Sequence, residues 1–124
     1  MKIKQLFVTA ALITGITGAW AGAHFAHEVA VSDNYIRGSV STAASSQDSK
    51  QYIGCYINSY DTGSAAVCIG RDASGKLKFC IDNSPNQATL NAVSAISDSS
   101  YIYAAINDGK CTRISVHASS AFNG

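Results

Sequence analysis

The chain opens with two lysines among its first five residues, Met1 to Gln5, and continues as an apolar run from Leu6 to about Ile16. Small residues follow in Ala19-Trp20-Ala21 and Ala21-Gly22-Ala23. A charged start, an apolar centre and small side chains one and three positions before a cut define a secretory signal peptide, so residues 1–21 are expected to be removed, with cleavage after Ala21 or after Ala23. Thr14, Gly15, Thr17 and Gly18 interrupt the run, which leaves it short of the roughly 20 apolar residues of a membrane span. No span is expected after cleavage. Residues 22–50 show little periodicity, and the stretch from Gly38 to Ser49 is rich in serine and alanine. A flexible arm is expected there, with a short extended piece near Tyr35-Ile36 able to dock on the domain.

Regular alternation begins near Gln51. Ile53, Cys55 and Ile57 alternate with Tyr52, Gly54 and Tyr56, the period-2 pattern of a strand. Turn residues from Asn58 to Gly63 precede a second strand over about 64–71, and Ala73-Ser74-Gly75 suits a three-residue hairpin loop into a third strand over 76–82. In that third strand Lys76, Lys78 and Cys80 alternate with Leu77, Phe79 and Ile81, and the lysine face is expected toward solvent or the rim. Ser84-Pro85-Asn86-Gln87 reads as a helix start, with Ser84 as cap, Pro85 at the first position and Gln87 closing a capping box. The helix is expected to run to about Ser97 and to pack Leu90, Val93 and Ile96 on the sheet. Tyr101 to Ile106 and Cys111 to Ala118 flank Asp108-Gly109 as a last hairpin. The expected fold class is α+β: a small antiparallel sheet in the order β-β-β-α-β-β, one helix packed on it and two disulfides, all within residues 51–124.

Four cysteines, Cys55, Cys68, Cys80 and Cys111, give an even count in an exported chain, which reads as two disulfides. Their spacing contains no C-x₂-C pair of the kind that zinc sites use. Counting back from the Ala73-Ser74-Gly75 loop sets Cys68 opposite Cys80 on one face, which favours Cys68–Cys80 with Cys55–Cys111. Cys55 and Cys68 also face each other across the turn at Asp61-Thr62, so the pairing Cys55–Cys68 with Cys80–Cys111 is open as well. The crosslinks matter because a mature chain of this length buries only about 60–65% of its unfolded surface. Of its nine Lys and Arg residues, Lys2 and Lys4 belong to the leader, and eight acidic residues oppose the rest, leaving a net charge of about −1 with no basic cluster. A nucleic-acid partner is not expected.

Asp61-Thr62-Gly63-Ser64 matches the D-T-G-S string of aspartic peptidases, whose paired carboxylates share a proton and activate water. In that string, and in its length, the chain resembles the homodimeric retropepsin-like peptidases, which would make Asp61 catalytic. Asn58-Ser59-Tyr60 stands where that family has a strongly apolar strand end, and Asp and Gly are ordinary turn residues. No G-x-S-x-G, H-E-x-x-H or P-loop string occurs. A copper reading rests on the mature N-terminus. Cleavage after Ala21 gives Gly22-Ala23-His24, in which the amine, two backbone amides and the His24 imidazole can surround Cu(II) in a square plane. Cleavage after Ala23 exposes His24 itself, resembling the histidine brace of copper proteins, with His27 or His117 in support. Tyr52, Tyr56 and Tyr60 share one face of the first strand and form a candidate contact row, with Tyr101 and Tyr103 paired on the fourth. The expected function is thus an exported (secreted or periplasmic), non-catalytic binding or surface-structure module with a protein or glycan partner, copper binding and peptidase activity being its alternatives.

Overall fold

The structure, a computed structural model, describes residues 26–122. The signal peptide with its cleavage site lies outside them. Seven strands are formed: β1 (Ala30–Val31), β2 (Tyr35–Ser39), β3 (Tyr52–Tyr60), β4 (Gly63–Arg71), β5 (Leu77–Asp82), β6 (Ser100–Asn107) and β7 (Lys110–Ala118). Two helices, α1 (Val40–Ala44) and α2 (Gln87–Ser94), and a 3-10 turn over Ser120–Phe122 complete the described residues. All seven strands join one sheet in the order β1-β2-β6-β7-β5-β4-β3.

The expected small antiparallel β-β-β-α-β-β sheet is corrected by this topology. The sheet starts at Ala30 and not near Gln51, since β1, β2 and α1 come from the stretch read as a flexible arm. It is mixed, because β5 and β7 run parallel where Ile81 pairs with Lys110. Local pattern hides both features. In β2 only Ile36 is a large inward residue, and its Gly-Ser tail is small because the fold packs tightly there: a Cβ on Gly38 would stand 2.9 Å from the Val29 Cα.

The hairpins follow their turn chemistry. Tyr60 pairs with Gly63 across Asp61-Thr62, and the Asp72 N–H donates to the Lys76 carbonyl across the loop in which Gly75 takes φ +92°. Asp108 and Gly109 both have positive φ, 55° and 76°, the signature of the type I′ turn that matches strand twist. Helix α2 is capped by Asn86, not Ser84, through its side-chain acceptance of the Thr89 N–H at 2.9 Å; asparagine is among the strongest N-caps, and the helix begins two residues later than expected.

The sheet rolls up on itself. Strands β2 and β4 are not neighbours in the ladder, yet a Cβ on Gly70 of β4 would meet Ile36 of β2 at 2.9 Å. Inside the roll lie Ile36, Cys68, Cys80, Ala104 and Ile106, with a second cluster of Val29, Ala43, Ile53 and Ile102. Cys55 packs against both clusters and Cys111 against the first. In such a narrow interior the sulfurs supply much of the bulk that large side chains supply elsewhere.

The bridges are Cys55–Cys68 and Cys80–Cys111, which corrects the favoured Cys68–Cys80 and Cys55–Cys111. Cys68 does stand opposite Cys80, as the loop count required, but it stands opposite Cys55 as well. Antiparallel partners alternate between wide hydrogen-bonded and narrow non-hydrogen-bonded pairs, whose side chains are closer. The 4.0 Å Cα separation of Cys55 and Cys68 marks the narrow kind. A strand residue directs its backbone groups to one neighbour only, so Cys68 meets Cys80 in a wide pair, and the narrow side takes the bond.

Candidate functional site

The outer face of β3, β4 and β5 carries the apolar surface. Inward Ile53 and Cys55 leave Tyr52, Gly54, Tyr56, Asn58 and Tyr60 facing out, and the register sets Tyr56 beside Val67 and Gly54 beside Ile69. Across β4, Val67 stands beside Ile81, Ile69 beside Phe79 and Arg71 beside Leu77. Tyr52, Tyr56, Tyr60, Leu77 and Phe79 each expose 45–59% of their surface, an unusual concentration of large apolar side chains in water.

Relief on this face forms a groove of about 350 Å³. Tyr56 and Tyr60 make one wall, Phe79 and Ile81 the other, and Ala65 and Val67 the floor. The amides of Asn58 and Asn83 also line it, and no charged side chain does. Gly54 opens the surface beside the groove, and the Tyr52 ring occupies that space, its hydroxyl 3.2 Å from where a Cβ would stand.

The structure therefore brings the tyrosine row together and adds Leu77 and Phe79, which sequence reasoning missed. The lysine face of β5 was expected outward, yet it is the Cys80 side that turns inward, leaving Leu77 and Phe79 half exposed. The signal was available: Cys80 points into the core with Cys68, so alternation sends Phe79 and Ile81 to the face of Tyr56.

A second aromatic group surrounds Tyr101 on the outer face of β6. His27 and His117 meet it edge-on, at 5.1 Å and 6.0 Å between ring centroids, and Phe122 lies tilted against it at 5.4 Å. Tyr103, expected to share that face, stacks at 6.0 Å on Tyr35, over which the Arg37 guanidinium lies at 5.2 Å. Gly22 and His24 lie outside the described residues, among which no group of three or more His, Cys, Asp or Glu side chains gathers to hold a metal ion. Asp61 is exposed at the β3–β4 turn. No helix of the described residues is long and apolar enough to cross a membrane.

Comparison of the chain with protein-family models, with curated proteins and with solved structures finds no match.

Proposed function

We propose that this is an exported, non-catalytic binding module that docks apolar side chains of a protein partner in the groove between Tyr56 and Phe79. The single observation that supports this reading is the half-exposed Tyr52, Tyr56, Tyr60, Leu77 and Phe79 gathered on one face, around a groove that no charged side chain lines. Burying aromatic rings yields area at low entropic cost, and Tyr retains a polar tip for the rim of an interface. Two disulfides suit an oxidising compartment outside the cytosol.

The test is an NMR titration of the mature protein with uncharged tripeptides that differ only in a central Phe, Leu or Ser. The Phe and Leu peptides are expected to shift the amides of Tyr56, Val67, Ile69 and Phe79 saturably, and Phe79→Ser to abolish those shifts. Equal responses to the Ser peptide, or shifts that map elsewhere, would sink the reading.

A second reading keeps copper at the mature N-terminus, because His27 and His117, the two helper histidines, both lie against Tyr101. Calorimetry with Cu(II) on the mature protein and on His24→Ala decides it. Tight binding lost in the variant supports copper, and equal, micromolar-or-weaker binding by both ends it.

A further inference from the structure

Strand β3 lies at the edge of the sheet. It is nine residues long, Tyr52-Ile53-Gly54-Cys55-Tyr56-Ile57-Asn58-Ser59-Tyr60, with no charge and no proline. Natural edges of that length are ordinarily blunted by lysine, proline or a bulge, since an open edge templates pairing with another strand. None of these devices is present in β3, and its ladder with β4 is continuous over all nine residues. The narrow Cys55–Cys68 pair sets the phase of that ladder: Ile53, Cys55, Ile57 and Ser59 direct their N–H and C=O groups away from β4. No hydrogen bond among the described residues uses those groups. Ala43 of α1 shares a core cluster with Ile53, an inward residue, and Ile96, just beyond α2, packs against the same cluster.

We propose that β3 pairs antiparallel with β3 of a second copy of this chain, about a twofold axis at Tyr56. The proposal rests on reading the tyrosine row as a contact surface, and it names a partner for that row. Two observations support self-pairing. The tyrosines fall at the first, fifth and ninth positions of the strand, symmetric about its centre. With the axis at Tyr56, Tyr56 faces its own copy and Tyr52 faces Tyr60 at both ends, a ladder of cross-strand aromatic pairs. Cys55 then opposes Ile57 and Ile53 opposes Ser59, so all four outward-directed residues fall in hydrogen-bonding register. A register centred on Cys55 would set Tyr52 against Asn58 and lose the outer tyrosine pairs. The opposite edge, β1, has only two residues, too short to propagate a fibre, so the assembly closes as a dimer. The seam places the two grooves side by side across Tyr56, which doubles the docking surface and gives a divalent partner the benefit of effective concentration.

Sedimentation equilibrium of the mature protein over a dilution series tests this, beside Tyr56→Lys, Ser59→Pro and Phe79→Ser. Tyr56→Lys sets two ammonium groups against each other on the axis and is expected to weaken the dimer by about tenfold or more. Ser59→Pro removes a seam donor at an edge position where proline is tolerated, so it serves if the lysine variant misfolds. The expected result is a dimer for the wild type and for Phe79→Ser, and monomers for the two seam variants, each with an unchanged circular-dichroism spectrum. A wild type that stays monomeric, or a dimer that survives both seam substitutions, overturns the proposal. Peptide shifts in the groove of a monomer would leave the docking reading standing, whereas a dimer without peptide binding would remove that reading and keep the seam.

Discussion

Asp61 shows how one residue can look catalytic in sequence and serve as a bend in space. It follows Tyr60, precedes Thr62 in the two-residue turn, and is exposed, whereas carboxylate catalysis needs a partner carboxylate held close enough to share a proton. Asp61→Asn is accordingly expected to leave peptide binding at the groove unchanged and to alter monomer stability by no more than about 1 kcal/mol, as urea unfolding would measure. Pepstatin-sensitive proteolysis by the pure protein, abolished by that substitution, would contradict this. The string matched because turn chemistry and catalytic loops draw on the same small residues. Tyr52, Tyr56 and Tyr60 were legible as one outward face since strand alternation is strictly local. Leu77 and Phe79 were legible only through Cys80, because strand alternation sends them outward once Cys80 turns inward with Cys68, whereas Lys76 and Lys78 on the Cys80 side of the alternation suggest the opposite.

The N-terminal third sends only a few scattered side chains, Val29, Ile36 and Ala43, into the core and is otherwise held by polar contacts, so it carries no hydrophobic period and residues 22–50 read as a flexible arm. After α1, the Asp48 carboxylate accepts from the Lys50 N–H at 2.8 Å, the Gln51 N–H at 3.1 Å and the Gln51 side-chain amide at 2.8 Å. Gln51, almost fully buried, then uses its side-chain oxygen to accept the Val29 N–H at 2.9 Å. One aspartate thus fixes the entry of β3, and through Gln51 it pins the strand segment before β1. The Gln51 amide, followed by the Lys50 N–H, holds the Asp48 carboxyl below its ordinary value. A carboxylate with a depressed folded pKa contributes stability above its unfolded pKa and loses it as pH falls through the folded value. Asp48→Asn is therefore expected to lower the melting temperature at neutral pH, with the gap to wild type closing as pH falls below about 4. A gap that stays constant on acidification would show that the ionised carboxylate is not the source. The hairpins were legible because each is set by a turn of two or three residues whose preferences act locally, Asp72 to Gly75 and Asp108-Gly109 in their glycine positions.

At the scale of the whole molecule the sheet is two antiparallel units, β1-β2-β6-β7 and β5-β4-β3, joined through β5 and β7. That joint is sparse: one parallel partner pair, Ile81 with Lys110, and a bond from the Ile81 N–H to the Gly109 carbonyl at 3.1 Å. The Cys80–Cys111 bridge crosses it, with its Cα atoms 4.9 Å apart, whereas Cys55–Cys68 lies within a nine-residue ladder that is already complete. Loop entropy alone makes the two bridges similar, about 3 kcal/mol for the separation of 13 and about 3.7 kcal/mol for that of 31. If the bridge also holds the halves in register, its removal costs more than that difference, because the rolled core of Ile36, Cys68, Cys80 and Ile106 draws side chains from both units. Urea unfolding of Cys55→Ser/Cys68→Ser and of Cys80→Ser/Cys111→Ser separates the two effects. The second pair is expected to lose at least about 2 kcal/mol more than the first and to unfold with a lower m-value, the mark of a native state whose halves have begun to part. Losses equal to within about 1 kcal/mol, with unchanged m-values, would mean that the Ile36–Gly70 contact and the packing around it hold the halves together without the sulfur bridge.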